Sequence, residues 1–178
     1  IVLSAKQLLE NEKKIMSTNN NIAVDIILPN YNSSEFLLET INSILSQTFY
    51  NWKLIIIDDN SNDKTKKILE SFSQNKSIEI IWLKKNKKAG FCRNLGMRNS
   101  KSAYIAFIDS DDIWAKDKLS KQINFMIKNN YDFTYTNYSI FRSTENKKNS
   151  KEIKPKKVFN FNNFTKNTSI ATSTMIIK

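Results

Sequence analysis

Three short polar runs hold most of the chemistry available to this chain: Pro29-Asn30-Tyr31-Asn32, Asp58-Asp59-Asn60-Ser61 and Asp109-Ser110-Asp111-Asp112. Carboxylates gathered in one place repel each other, and a chain of formal net charge +11 has little reason to gather them without a cation to hold. A hard divalent ion, Mg²⁺ or Mn²⁺, is the economical ligand. It takes oxygen donors and keeps positions open for water and phosphate, so one or two carboxylates suffice when a substrate brings a diphosphate. Each run also has a structural reading. Asp58 and Asp59 can cap a helix starting near Asp63, Asp109 to Asp112 can form a turn before a helix near Lys116, and Tyr31 can be an ordinary surface ring.

The elements around these runs decide between the readings. From residue 22 onward, β-rich apolar runs alternate with segments of helical period, the pattern of a parallel sheet covered by helices. Strands are expected at Val24 to Leu28, Leu54 to Ile57, Ile78 to Leu83, Tyr104 to Ile108 and Phe133 to Tyr138. Helices are expected after a Ser34 cap, along Leu37, Ile41, Ile44 and Leu45; around Ile68, Leu69 and Phe72; over Gly90 to Asn99; and along Leu119, Ile123, Met126 and Ile127. Thr144 to Lys157 reads as an exposed loop, with further strands at Val158 to Phe164 and Ile170 to Ile177. In open parallel sheets, ligands collect beyond the carboxyl ends of the strands. All three polar runs come directly after strands, so they are expected on one rim, and that joint placement favours a site.

Composition narrows the chemistry. With no His, the chain can build neither a Ser-His-Asp triad nor a His-ligated zinc site. The single Cys92 forms no internal disulfide, which fits a reducing cytoplasm. No apolar run approaches the roughly 18 residues of a spanning helix. Lys, Asn and Ile are abundant throughout, so the positive charge reads as a general bias before it reads as an anion-binding surface. Residues 1–21 are expected to be extraneous to a single domain over 22–178, with Met16 as a natural start.

The stretches Val24 to Asn32, Ser43 to Thr48, Leu54 to Ser61, Ala89 to Gly96 and Ala106 to Trp114 together resemble glycosyltransferase family 2, in order and spacing. The resemblance implies a GT-A-type, Rossmann-like α/β sandwich, with a mostly parallel central sheet and helices on both faces, ending short of the acceptor half of the site. It also implies a metal-dependent, inverting transfer of sugar from a nucleotide diphosphate sugar, UDP-linked, to a glycan or lipid-linked acceptor. The setting implied is bacterial surface polysaccharide synthesis at the inner face of the cytoplasmic membrane. Residue by residue, Pro29 and Tyr31 would contact the base, Tyr31 by stacking, and Asp59 would accept from the base imide. Arg93, Asn94 and Ser110 would line the nucleotide-sugar site, Asp109 would lie by the ribose, and Asp111 would bind Mn²⁺ or Mg²⁺.

Inversion needs a general base near the acceptor hydroxyl. Glu145 and Glu152 are the only acidic residues after Asp132, and neither matches the family's pattern. No base is therefore assigned, and the chain alone is expected to bind donor but transfer poorly. Ile170 to Ile177 is expected to present an unpaired strand edge that promotes association. Three alternatives remain. A non-catalytic nucleotide-sugar-binding module has the same donor signals. A nucleotidyltransferase would want a glycine-rich phosphate loop, which Gly90 and Gly96 do not make. A nucleic-acid-binding protein could use Lys147, Lys148, Lys151, Lys154, Lys156 and Lys157, but no aromatic-basic motif accompanies them.

Overall fold

The computed structural model describes residues 22–140, 150–158, 162 and 169–178. Residues 1–21, Glu145, Lys147, Lys148 and most of the expected strand Val158 to Phe164 lie outside the described residues. In chain order the elements are β1 (Val24–Asn30), α1 (Leu37–Leu45), β2 (Trp52–Asp58), α2 (Thr65–Glu70), β3 (Ile78–Trp82), α3 (Lys88–Asn99), β4 (Tyr104–Phe107), α4 (Lys118–Asn129), β5 (Phe133–Thr134), β6 (Tyr138–Ile140), β7 (Lys151–Ile153), a 3₁₀ turn (Thr172–Thr174) and β8 (Ile176–Ile177). The main sheet has six strands in the order β3-β2-β1-β4-β8-β5, and β6 pairs with β7 in a separate ribbon. Strands β1, β2, β3 and β4 are parallel, while β8 runs antiparallel to both β4 and β5. This is the expected α/β architecture, with a mostly parallel sheet.

Side-chain alternation explains why both faces of the sheet are covered. Ile26 and Leu28 of β1 and Leu54 and Ile56 of β2 point to one face, where they pack with Leu37, Ile41 and Ile44 of α1, Leu69 of α2, and Leu119, Ile123 and Met126 of α4. The intervening Ile27, Ile55 and Ile57 point to the other face, against Cys92 of α3 and Phe107. Every residue of β1 is therefore buried. Helix α3 lies so close to the sheet that a Cβ on Gly96 would stand 2.6 Å from Ile27 Cγ2 and 3.0 Å from Ile57 Cδ1.

Several expected elements differ. Phe133 to Tyr138 splits, because only Phe133–Thr134 joins the main sheet and Tyr138 begins the β6 ribbon. Lys151–Ile153, expected in a loop, is the β7 partner of that ribbon. Ser34 does not cap α1: its amide donates to Asp63 Oδ2, and the helix starts on bonds from Phe36 and Leu37 to the Ser33 carbonyl. Ile170 to Ile177 is not an exposed edge. Its first part turns as the 3₁₀ segment, and Ile176–Ile177 inserts between β4 and β5 with Ile176 fully buried. Association through an unpaired edge there is thus removed as an expectation. Among the described residues, no helix is long and apolar enough to cross a membrane.

Candidate functional site

Because β1, β2 and β4 are parallel, the three polar runs at their carboxyl ends stand on one rim. The strand order reverses at β1, with β2 on one side and β4 on the other, so a crevice opens between the ends of β1 and β4. The sequence itself stops that ladder. The Ile108 amide donates to the Ile27 carbonyl at 3.1 Å, and the next bond would have to come from residue 29. Pro29 has no N–H, so β1 and β4 part there.

The first two runs are stitched together. Asn30 is 2% exposed, and its Nδ2 donates to Asp58 Oδ1 at 2.7 Å. Ser61 donates to the same carboxylate twice, through its hydroxyl (2.6 Å) and its amide (3.0 Å). Asp58 therefore fixes the turn that carries Asn60 at φ 64, a left-handed conformation that Asn tolerates. Tyr31 stands beside this turn with 48% of its surface exposed, and Pro29 is buried beneath.

Asp59 is bound into the start of α3. It is 2% exposed; its Oδ1 accepts from the Lys87 amide at 2.6 Å and its Oδ2 from the Lys88 amide at 2.7 Å. Lys88 has φ 72 at the start of α3, a conformation unfavourable for a long side chain by about 1–2 kcal/mol. The Asp59 carboxylate holds that turn. Nothing in the local sequence signals this, since the partners are separated by most of β3 and its flanking loops.

The third run is fixed from two sides. Arg93 Nη2 lies 2.5 Å from Asp109 Oδ1, an ion pair with both side chains partly exposed. The Asp109 amide donates to Ser173 Oγ at 2.9 Å, and the Ser173 hydroxyl donates in turn to Asp112 Oδ2. Thr40 Oγ1 donates to the Ser110 carbonyl at 3.0 Å. Burial pushes the Asp112 carboxyl above the usual range, against the Ser173 hydrogen bond, and the nearby Asp111 and Asp109 charges push it the same way. Asp111 alone is exposed, with no hydrogen bond or ion pair among those of the described residues. Asn94 is also exposed, and no hydrogen bond ties it to the rim. Ser173 is a site residue that sequence reasoning missed, because it arrives from the far end of the chain.

No group of three acidic or Cys residues forms a metal cage among the described residues. The donor set instead fits a cation held by the free Asp111 carboxylate together with oxygens from a substrate and water. Two cavities flank the rim. One of about 840 Å³ runs from Asp111 and Asp112 past α4 to β6. The other, about 550 Å³, lies at the ends of β2 and β3, bordered by Asp58, Ser61 and the 42% exposed Trp82.

Comparison with known proteins agrees with this fold. The family profile described as glycosyl transferase family 2 matches residues 25–177. An Escherichia coli protein named UDP-Glc:alpha-D-GlcNAc-diphosphoundecaprenol beta-1,3-glucosyltransferase WfgD is 39% identical over 155 residues, covering 86% of this chain and 59% of that protein. A Bacillus subtilis protein, TuaG, named for teichuronic acid biosynthesis, is 38% identical over 124 residues, covering 69% of this chain and 49% of its own length. The chain thus spans about half the length of these relatives. Among solved structures, S. aureus TarS 1-349 in complex with UDP-GlcNAc superposes with a TM-score of 0.59 at 27% identity, over 63% of this chain and 33% of that one.

Proposed function

We propose, from the premise that the chain belongs to glycosyltransferase family 2, that it holds the donor half of a metal-dependent glycosyltransferase using a UDP-linked sugar. The reaction is an inverting transfer to a glycan or lipid-linked acceptor in surface polysaccharide synthesis, with peripheral association at the inner membrane face. Relatives support the donor and acceptor classes: the WfgD name specifies a UDP-linked donor and a diphosphoundecaprenol-linked acceptor, and TarS has been captured with UDP and with UDP-GlcNAc.

The observation that carries the proposal is the state of the three carboxylates in the Asp109 to Asp112 run. Asp109 is paired with Arg93 and Asp112 is bonded to Ser173, which leaves Asp111 free at the crevice between β1 and β4. Asp111 would hold a divalent cation there, which would supply stabilisation for the charge that develops on the leaving diphosphate. The remaining residues position the donor. Tyr31 stacks on the base over Pro29, and Asp59 faces the base imide with the lone pairs its two amide donors leave unused. Asp109 approaches the ribose, while Arg93 orients Asp109, and Asn94 and Ser110 extend the donor wall. Glu152, the one late acidic residue that is described, sits in β7 paired with Lys154 at 3.0 Å, so no general base is assigned.

The test is a calorimetric titration of UDP with Mn²⁺, repeated in EDTA and with Asp111→Asn. Binding that depends on the metal and is lost in the folded variant is expected. Equal affinity in EDTA would overturn the metal-bridged reading.

A further inference from the structure

The 840 Å³ cavity beside Asp111 has in its wall a lysine whose ammonium is shielded from solvent and makes no ion pair. Lys118 opens α4 and is 9% exposed, and its Nζ has no hydrogen-bond partner. The ammonium lies over the Trp114 ring, 3.9 Å from its centroid. The other charges of the wall are engaged or assigned: Lys121 pairs with Asp117 at 2.5 Å, Asp112 is bonded to Ser173, and Asp111 faces the donor metal of the proposed function. A desolvated ammonium without a counter-ion is strongly disfavoured, and an anionic ligand that reached it would relieve that cost. The walls around it are aromatic, with Trp114, Phe125 and Tyr138 lining the cavity. Flat apolar faces with a few convergent polar groups suit a sugar ring.

We infer that this cavity binds the acceptor, and that Lys118 Nζ holds an acidic group of that acceptor, a phosphate or a carboxylate, while the aromatic walls take its sugar. This rests on the proposed donor site only for the cavity's being the acceptor side; the anion site itself stands on Lys118. A charge-assisted hydrogen bond to phosphate or carboxylate is among the strong polar contacts, and it is the one Lys118 lacks. The ammonium's low position on the pH scale, about 7 by burial alone, agrees with an unmet charge that an anion would raise.

The test uses three probes on the whole chain in EDTA, so that no metal carries the phosphate: glucose 1-phosphate, glucuronate and methyl glucoside. At least one acidic probe is expected to bind ten-fold or more tighter than methyl glucoside, and the tighter of the two identifies the acidic group. Lys118→Met should erase that preference. Equal affinity for all three, no binding by either acidic probe, or an unchanged preference in Lys118→Met would overturn the site. Should that variant fail to fold, ¹³Cε-labelled lysine in the native chain gives the answer. A shift of the Lys118 signal on adding the preferred acidic probe supports the site, and its absence overturns it. UDP titrated with Mn²⁺ against the same samples reports the donor reading separately, so loss of one does not mask the other.

Discussion

Ser173 and Asp109 meet although 64 positions separate them: the Asp109 amide donates to Ser173 Oγ at 2.9 Å. The same hydroxyl donates to the Asp112 carboxylate, and the Ser173 carbonyl accepts the Trp114 indole N–H at 2.8 Å. One residue beyond β7 thus ties down both ends of the acidic turn. With Asp109 and Asp112 held, the loop presents Asp111 outward at a fixed place.

Ser173→Ala removes both hydroxyl bonds and leaves the partly buried Asp112 carboxylate without a donor. A loss of about 1–3 kcal/mol of stability is expected, the cost of an unsatisfied polar group. UDP affinity in Mn²⁺ should fall several-fold as Asp111 loses its fixed position. Denaturant unfolding and calorimetry measure the two effects. No change in either would show that the turn holds itself.

Tyr31→Ala tests the base-stacking assignment. A base stacked on an aromatic ring is worth about 1–3 kcal/mol, so the dissociation constant for UDP should rise about 5- to 150-fold. The ring is 48% exposed, so fold stability should change little. An unchanged dissociation constant places the base elsewhere, with the exposed Trp82 at the end of β3 as the next ring to replace.

Gly96→Ala sets two effects against each other. Alanine favours a helix by about 1 kcal/mol over glycine. Its Cβ would stand 2.6 Å from Ile27 Cγ2, a branch carbon that cannot swing away without moving β1. Overpacking of this kind costs about 1–3 kcal/mol, so net destabilisation is expected, read as a lower denaturant midpoint. A stabilised variant would mean that α3 lifts freely from the sheet.

The parallel sheet and its polar rim were legible because both are local patterns. Apolar runs such as Ile26 to Leu28 and Leu54 to Ile57 mark strands buried on two faces, and the loops leaving parallel strands must lie on one rim. The exposed position of Asp111 on that rim was legible for the same reason. The contacts that give the rim its shape were not, because Asp59 with Lys87 and Lys88, and Ser173 with Asp109, join residues whose separation carries no periodic signal. The β8 strand misled for a related reason. Its apolar run was visible, but its antiparallel insertion between β4 and β5 depends on a turn at Thr172–Thr174 that propensity does not announce. Lys118 looked like one lysine among many, and only its burial separates it from the rest.

Stability against pH is the sharpest consequence of that burial. Burial lowers the Lys118 ammonium from 10.5 to about 7, so between those values the unfolded chain binds a proton that the folded chain does not. Stability then rises with pH, by up to about 1.4 kcal/mol per unit, because the unfolded state carries the extra proton. Cys92 works the other way. Burial first, and then the charge of Asp59, raise its thiol from 9.0 to about 11, so its contribution is full below pH 9 and is lost as pH climbs through 11. The carboxylates with lowered values, Asp25, Asp63 and Asp117, act only in acid, since their stabilisation is present above the unfolded value of 3.8 and lost below it. Among the described residues, the shift that spans the window from 7 to 9 is that of Lys118. Denaturant unfolding should therefore show a gain of about 2–3 kcal/mol from pH 7 to pH 9, a plateau above 9 where Cys92 opposes it, and a decline beyond about 10.5. Lys118→Met should be flat from pH 7 to pH 9. A native chain equally flat across that interval would mean that Lys118 keeps its proton, with a counter-ion already beside it.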